Sequence, residues 1–334
     1  MRRQAKVLST GSFLPDSILS NLDLEKMVET SDEWIVSRTG MRERRIAGKD
    51  EFTSTMAVKA AMKAIEGAKI TVDQIDVILV ATLTPDFIFP STACLVQKEI
   101  GAKNALAFDI QAACSGFLYA LSMAKAYVES GMYKTILVIA SEKLSSITDY
   151  QDRSTCILFG DGSTACVVGM SENKNEGLVI RSVQLGADGE QADLLMMPAG
   201  GCRQPASKES IEQKQHFIKM AGNEVFKHAV RRMEAACKSC LDELGLLESE
   251  ISWVVPHQAN IRILDAIAKR FDHLPPDRIY KTLHKYGNTS ASSVGIALDE
   301  LLKGEPIKTG DKILLTAFGG GFTWGAALLE AGGE

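Results

Sequence analysis

No apolar run in the sequence reaches the ~18 residues that a membrane-spanning helix needs, and no apolar segment follows the two arginines near its start as in a secretory leader. An excess of basic residues is also missing, because Lys and Arg total 37 against 42 Asp and Glu, which gives a net charge of -5. This balance argues against nucleic acid as the main partner. We therefore expect a cytoplasmic protein that works without a membrane or nucleic acid.

Motifs for nucleotides and metals are missing as well. Neither the phosphate-binding pattern G-x-x-x-x-G-K-[ST] nor the dinucleotide-binding pattern G-x-G-x-x-G occurs. The five histidines are scattered, without neighbours at the spacing of metal ligands. Seven cysteines, an odd number in a long chain, indicate reduced thiols, and the Cys237-x-x-Cys240 pair lies inside a helical pattern that favours packing over a redox or zinc role. We predict no metal site and no bound cofactor.

What is present is the alternation of an α/β protein. Short apolar runs and helical patterns follow one another, which is typical of a largely parallel sheet covered by helices. The predicted strands of the first part are residues 77–81, 105–110, 135–140 and 163–169. After an irregular stretch at 173–210 the alternation recurs, with a long helix at 212–247 and a strand at 251–255. We predict two duplicated halves, residues 1–172 and 173–334.

Cys114 stands where a predicted strand meets a predicted helix. A thiol at a helix N-terminus meets the positive end of the helix dipole, so we expect a lowered pKa and a nucleophilic thiolate. Its neighbours Ala112, Ala113, Ser115 and Gly116 are small enough to admit a substrate. A lone cysteine is more often a packing residue, so the assignment depends on the rest of the chain.

Three further features stand out in the second half. His257 comes directly after the strand at 251–255, Asn288 precedes a helix that Ser290 would cap, and three glycines lie within residues 318–322. A thiolate, an imidazole, a side-chain amide and exposed backbone amides together suit acyl transfer. A papain-like cysteine hydrolase has Cys, His and Asn in the same chain order, and a catalytically inactive acyl-binding scaffold also fits.

The surrounding motifs resemble those of β-ketoacyl-acyl-carrier-protein synthase III. The matching segments are residues 30–40, 109–117, 159–162, 256–263, 286–291 and 318–325. The resemblance implies a thiolase-like α/β fold with duplicated halves in a five-layered α-β-α-β-α arrangement, and a homodimer. Related starter condensing enzymes of secondary metabolism share the same Cys, His and Asn.

The resemblance also implies the reaction, which starts bacterial-type fatty-acid synthesis. Cys114 takes the acyl group of a short acyl-CoA, and the backbone amides of Cys114 and Gly320 hold the oxyanion. Malonyl-acyl carrier protein then loses carbon dioxide, and His257 and Asn288 stabilise the resulting enolate. The carbanion attacks the acyl-cysteine, so the enzyme is an acyltransferase.

Binding residues follow from the same resemblance. Those expected to bind CoA and its pantetheine arm are Trp34, Arg38, Thr39, Arg153, Gly222 and Asn260. Within this set, Trp34 and Arg153 are expected to sandwich the adenine. Phe89 is expected to reach across the dimer and bound the acyl pocket, and its bulk favours a short primer.

The resemblance also implies an acidic acyl carrier protein as the partner, and a net negative enzyme would need a local basic patch to bind it. Arg262 and Lys269 lie seven residues apart in the helix after His257 and share one face. The full predicted docking patch is Arg262, Lys269, Arg270, Lys227 and Arg231.

Overall fold

A computed structural model of the chain describes residues 3–170 and 177–332. The strands are β1 (Lys6–Phe13), β2 (Ile18–Ser20), β3 (Glu43–Arg45), β4 (Val77–Ala81), β5 (Leu106–Ile110), β6 (Thr135–Glu142), β7 (Gly162–Gly169), β8 (Leu178–Ala187), β9 (Leu195–Met196), β10 (Lys219–Met220), β11 (Trp253–Pro256), β12 (Lys312–Gly319) and β13 (Thr323–Ala331). The helices are α1 (Asn21–Leu24), α2 (Asp32–Thr39), α3 (Thr53–Gly67), α4 (Thr92–Ile100), α5 (Gly116–Ser130), α6 (Arg153–Cys156), α7 (Lys208–Glu212), α8 (Gly222–Leu244), α9 (Ile261–Ala268), α10 (Leu283–Tyr286) and α11 (Ser292–Gly304).

Within the described residues, nine strands form one sheet in the order β11-β12-β13-β8-β1-β7-β6-β4-β5. The β4 strand is parallel to both β5 and β6, and β11 is parallel to β12. This confirms the predicted alternation, since β4, β5, β6 and β7 all lie where the apolar runs placed them. Between β12 and β13, β13 and β8, and β1 and β7 the pairing is antiparallel.

Three details of the prediction are wrong. The sheet is not largely parallel, because five of the eight strand pairings among the described residues (β12-β13, β13-β8, β8-β1, β1-β7 and β7-β6) are antiparallel. Part of the stretch predicted as irregular forms β8, which pairs with β13 along its length and with β1 at Leu178 and Val179. The long helix begins at Gly222 and not near residue 212, because the short helix α7 and the strand β10 occupy the segment before it. The predicted boundary between residues 172 and 173 lies outside the described residues, so the division into halves stays a prediction.

Successive side chains of the strands point to opposite sides of the sheet, and helices pack on both sides to give five layers. In β4, Leu79 packs with the core around α5 and α11, whereas Val80 packs on the opposite side with α3 and α4. In β12, Leu315 faces the same α5 and α11 core, whereas Leu314 faces α8 and α9. The helices α5 and α11 therefore lie between two parts of the sheet, with a helical layer outside each part.

The parallel pairs bring their carboxyl ends together. The strands β4, β5 and β6 end at the same edge, which places the segment before α5 beside Glu142, the last residue of β6. On the other part of the sheet, β11 ends at Pro256 next to the end of β12. Open α/β sheets bind ligands at such edges.

Candidate active site

Cys114 lies in a short 3-10 turn, Ala113–Ser115, between the end of β5 and the start of α5. The turn leads directly into α5, which confirms the predicted strand-to-helix position. Its side chain is buried, with 8% of the residue exposed, and the Ser290 hydroxyl donates a hydrogen bond to its Sγ over 3.4 Å. Ser290 therefore does not cap α11 as predicted, and its hydroxyl contacts the thiol instead.

The expected low pKa of Cys114 is wrong. Burial, together with the nearby Glu142 carboxylate, raises the pKa of the thiol to about 12, and the Ser290 hydrogen bond offsets only part of the rise. A helix N-terminus favours a thiolate, but taking the charge out of water costs more. The resting nucleophile is therefore a protonated thiol.

Glu142 was not singled out from the sequence, although it ends a strand at the edge where such sites form. It is fully buried, and its Oε2 accepts hydrogen bonds from Thr82 Oγ1 at 3.2 Å, Leu83 N at 3.1 Å and Thr84 Oγ1 at 2.8 Å. Burial raises its pKa to about 7, and the donors counteract this only in part. Its charge state thus changes near neutral pH.

His257 follows β11, and its backbone N–H donates to Thr316 O over 2.7 Å. The ring is buried, and burial lowers its pKa to about 4, so the imidazole is neutral at pH 7. Nδ1 lies 2.6 Å from Ser293 Oγ, which also accepts a hydrogen bond from Gln258 N at 3.3 Å. Because Nδ1 is the one acceptor within hydrogen-bond distance of the Ser293 hydroxyl among the described residues, the hydroxyl is placed to donate its proton to Nδ1, which leaves the ring proton on Nε2.

Asn288 is held by backbone and side-chain hydrogen bonds. Its N–H donates to Leu158 O at 2.8 Å, and its carbonyl accepts from Gly160 N at 3.0 Å. Its Oδ1 accepts from Ser290 N at 2.9 Å. Because the oxygen end of the side-chain amide is used within the loop, the NH₂ end is the one left to act as a donor to a substrate.

Cys114, His257 and Asn288 line one cavity of about 1030 Å³, together with Gly320. The glycine run approaches the nucleophile closely, because a Cβ on Gly319 would lie 2.5 Å from the backbone nitrogen of Cys114. Most of the wall is apolar and includes four methionines, Met196, Met197, Met220 and Met233. The structure thus brings together the predicted catalytic residues; their roles stay predictions.

The predicted CoA residues fall into different settings. Gly222 and Asn260 line the cavity, and Asn260 also caps α9 by accepting from Ile263 N at 3.1 Å. The Arg153 guanidinium lies 4.8 Å from the centre of the Trp34 ring, and that of Arg38 lies 5.7 Å from it. This direct stacking leaves no gap for an adenine, so the expected sandwich requires Arg153 to move away from the ring.

Thr39 has a structural setting. It is buried, and its hydroxyl donates to Ile35 O at 2.7 Å and accepts from Met41 N at 3.1 Å, which fixes the end of α2. Phe89 does not line the cavity within the described residues, and 85% of it is exposed. Its neighbours Phe87 and Ile88 do line the cavity.

The predicted docking cations are also not equivalent. Arg262 is exposed at the start of α9, 5.0 Å from the ring of Phe226, which lines the cavity. Lys227 pairs with Glu224 at 2.8 Å, and Arg270 pairs with Glu248 at 3.0 Å. Lys269 and Arg231 are exposed. Of the five, Arg262 has the clearest connection to the cavity.

Two family models match the chain. The model described as 3-Oxoacyl-[acyl-carrier-protein (ACP)] synthase III matches residues 108–189, and the one for its C terminal part matches residues 241–331. A relative from Chlamydia muridarum named Beta-ketoacyl-[acyl-carrier-protein] synthase III is 61% identical over 98% of this chain and 99% of its own length. The chain belongs to the 3-oxoacyl-[acyl-carrier-protein] synthase III family.

Further relatives agree over the whole length. One of the same name from Caldanaerobacter subterraneus is 52% identical and covers 98% of this chain and 97% of its own. The crystal structure of 3-oxoacyl-[acyl-carrier-protein] synthase III from Aquifex aeolicus is 48% identical, with a TM-score of 0.89 over 98% of this chain and 99% of that one. These matches confirm the predicted thiolase-like fold, the condensing-enzyme class and a place in fatty-acid biosynthesis. They do not favour the alternative functions considered from the sequence.

Among the described residues, no helix is long and apolar enough to cross a membrane. In the same part of the chain, His, Cys, Asp and Glu side chains form no cluster of three or more that would hold a metal ion.

Proposed function

We propose that this chain condenses a short acyl-CoA with malonyl-acyl carrier protein to give 3-oxoacyl-acyl carrier protein, CoA and carbon dioxide, the initiating step of type II fatty-acid synthesis. The observation that carries the proposal is the shared cavity, in which a buried thiol faces a neutral imidazole and a side-chain amide. The reaction takes place in the cytoplasm and uses no bound cofactor or metal.

In the first half-reaction the sulfur of Cys114 attacks the thioester carbonyl of acyl-CoA. The carbon–sulfur bond to CoA breaks, and the proton of the Cys114 thiol ends on the departing CoA sulfur. Backbone amides of Cys114 and Gly320 stabilise the oxyanion, supported by the close approach of the glycine run to Cys114 N. The product is an acyl-cysteine enzyme and free CoA.

In the second half-reaction His257 and Asn288 act as hydrogen-bond donors. The Ser293 hydroxyl directs the imidazole proton to Nε2, and the Ser290 amide holds Asn288 so that its NH₂ faces outward. Both donate to the malonyl thioester carbonyl and stabilise the enolate that forms as carbon dioxide leaves. The enolate carbon attacks the carbonyl of the acyl-cysteine, the carbon–sulfur bond to Cys114 breaks, and the released thiolate takes a proton from solvent.

Substrates reach the thiol through the cavity. Gly222 and Asn260 line the path of the pantetheine arm, while Trp34, Arg38 and Arg153 bind the adenine outside, and Thr39 supports them by fixing the end of α2. The acidic carrier protein docks on Arg262, with Lys269, Arg270, Lys227 and Arg231 around it.

We further propose a homodimer built from duplicated halves, residues 1–172 and 173–334. Phe87, Ile88 and Phe89 are 58%, 87% and 85% exposed in the single chain, and β5 is an edge strand with Leu106 49% exposed. Exposed apolar clusters and unpaired strand edges mark sites of association. In the dimer, Phe89 bounds the acyl pocket of the second copy.

The test is acylation by a short acyl-CoA alone, followed by intact-protein mass spectrometry. The wild type is expected to gain the acyl mass, and Cys114→Ser is expected to lose this reaction. Adding malonyl-acyl carrier protein should then release 3-oxoacyl-acyl carrier protein. Acylation of Cys114→Ser at the wild-type rate would refute the role of this thiol, and peptide hydrolysis by the wild type would support the hydrolase alternative.

A further inference from the structure

Arg44 is a fully buried cation in β3. Among the described residues it has no carboxylate within ion-pair distance, and burial lowers its pKa to about 10. Its guanidinium donates from Nε to Ile157 O over 3.1 Å, from Nη2 to the same carbonyl, and from Nη1 to Asn21 Oδ1. A charge buried in this way is costly unless its donors are satisfied, and here two carbonyl-type oxygens, Ile157 O and Asn21 Oδ1, accept from it.

Ile157, whose carbonyl accepts the Arg44 hydrogen bonds, directly precedes the segment that is hydrogen-bonded to the backbone of Asn288. Leu158, the next residue, accepts the backbone hydrogen bond of Asn288, and Gly160 donates to the Asn288 carbonyl. Both backbone polar groups of Asn288 are therefore fixed by residues 158–160, and that segment is tied to Arg44 at Ile157.

The stem of Arg44 also touches the residue before Asn288. Gly287 has φ +66°, and a Cβ there would lie 2.9 Å from Arg44 Cγ and 2.7 Å from Leu158 O. Glycine is needed for both the conformation and the close approach. The Arg44 side chain is therefore packed directly against the residue that precedes Asn288.

The far end of the guanidinium is anchored. Asn21, which accepts from Nη1, donates from Nδ2 to Asp32 Oδ1 at 2.7 Å and to Met41 O at 2.9 Å. Arg44 is therefore a brace between two fixed segments, one at the start of α2 and one beneath Asn288.

We propose that Arg44 is a positioning residue that sets the Asn288 side chain for the condensation step, an inference that rests on the function proposed above. Asn288 takes part only after Cys114 has been acylated. Loss of the brace is therefore expected to impair condensation selectively, in contrast to a general loss of structure.

Arg44→Met tests this by separate measurement of the two half-reactions. Acylation of Cys114 is followed by mass spectrometry, and condensation by adding malonyl-acyl carrier protein to enzyme acylated beforehand. We expect condensation to fall on the order of a hundredfold, as for a misplacement of about 1 Å, with acylation nearly unchanged. Arg42→Met, the same change two residues earlier at an exposed side chain, is the matched control and should spare both steps.

The decisive comparison is made in the Asn288→Ala background. If Arg44 acts through Asn288, adding Arg44→Met lowers condensation no further. An additional loss, or equal losses in both half-reactions of the single variant, would overturn the proposal. Should Arg44→Met fail to fold, Arg44→Lys is judged by the same criteria, because it keeps the charge but loses the paired donors to Ile157 O. A wild type that acylates but does not condense would instead refute the proposed function.

Discussion

Replacing Glu142 with Gln removes a buried charge whose cost depends on pH. Because burial raises the pKa of this carboxyl from 4.5 to about 7, folding favours its protonated form. Its contribution to stability is fully present below pH 4.5 and is lost as pH rises through 7. The difference in pKa corresponds to about 3 kcal/mol in the free energy of unfolding. The amide keeps an oxygen for Thr82, Leu83 and Thr84 but carries no charge.

Urea unfolding at pH 4.5, 6.5 and 8.5 measures the effect. The free energy of unfolding of Glu142→Gln, relative to the wild type, is expected to rise by up to about 3 kcal/mol from the lowest to the highest pH. Glu66→Gln, an exposed change on α3, is the control and should show no such trend. A relative stability of Glu142→Gln that is the same at all three pH values would refute the assignment of a raised pKa.

Three further predictions address the substrates. His257→Ala and Asn288→Ala should each lower condensation on the order of a hundredfold while sparing acylation, measured as separate half-reactions. Arg262→Glu should raise the KM for malonyl-acyl carrier protein roughly tenfold at low salt and less at high salt, whereas Lys308→Glu, an exposed charge reversal outside the docking patch, should have little effect in the same assay. Trp34→Ala should raise the KM for acyl-CoA roughly tenfold in the acylation assay and leave condensation by pre-acylated enzyme unchanged.

Different results would contradict each of these in turn. Equal losses in both half-reactions would contradict the proposal that His257 and Asn288 act in condensation and not in acylation. A KM effect of Arg262→Glu that ignores ionic strength would argue for a structural role in α9. An unchanged KM in Trp34→Ala would place the adenine elsewhere.

Many strand positions could be predicted from the sequence, because buried parallel strands are continuous apolar runs. Val77–Ala81 is such a run, and its predicted and observed bounds agree. The strand β8 was missed because it follows a stretch rich in Gly, Asn and Lys, and because its strand character depends on pairing with β1 and β13, which are distant in the chain.

The candidate site was predictable in its members and not in its electrostatics. Cys114, His257 and Asn288 lie in recognisable local patterns, and the structure places them around one cavity. The pKa of Cys114 depends on how deeply the turn is buried and on Glu142, and neither is visible in a local pattern. The importance of Glu142 is evident only from its hydrogen bonds to the loop around Thr82, some 60 residues earlier in the chain.

The buried, protonated state of Cys114 bears on how the enzyme withstands oxidants. Peroxides attack thiolates, and the ladder from sulfenic to sulfonic acid begins with that attack. A thiol whose pKa is raised to about 12 presents almost no thiolate at neutral pH, so the nucleophile is spared by reagents that lack affinity for the cavity. Selectivity for acyl thioesters then comes from binding and not from a reactive sulfur. A covalent inhibitor must accordingly carry groups that bind in the methionine-lined cavity, so that its reactive group is held next to Cys114.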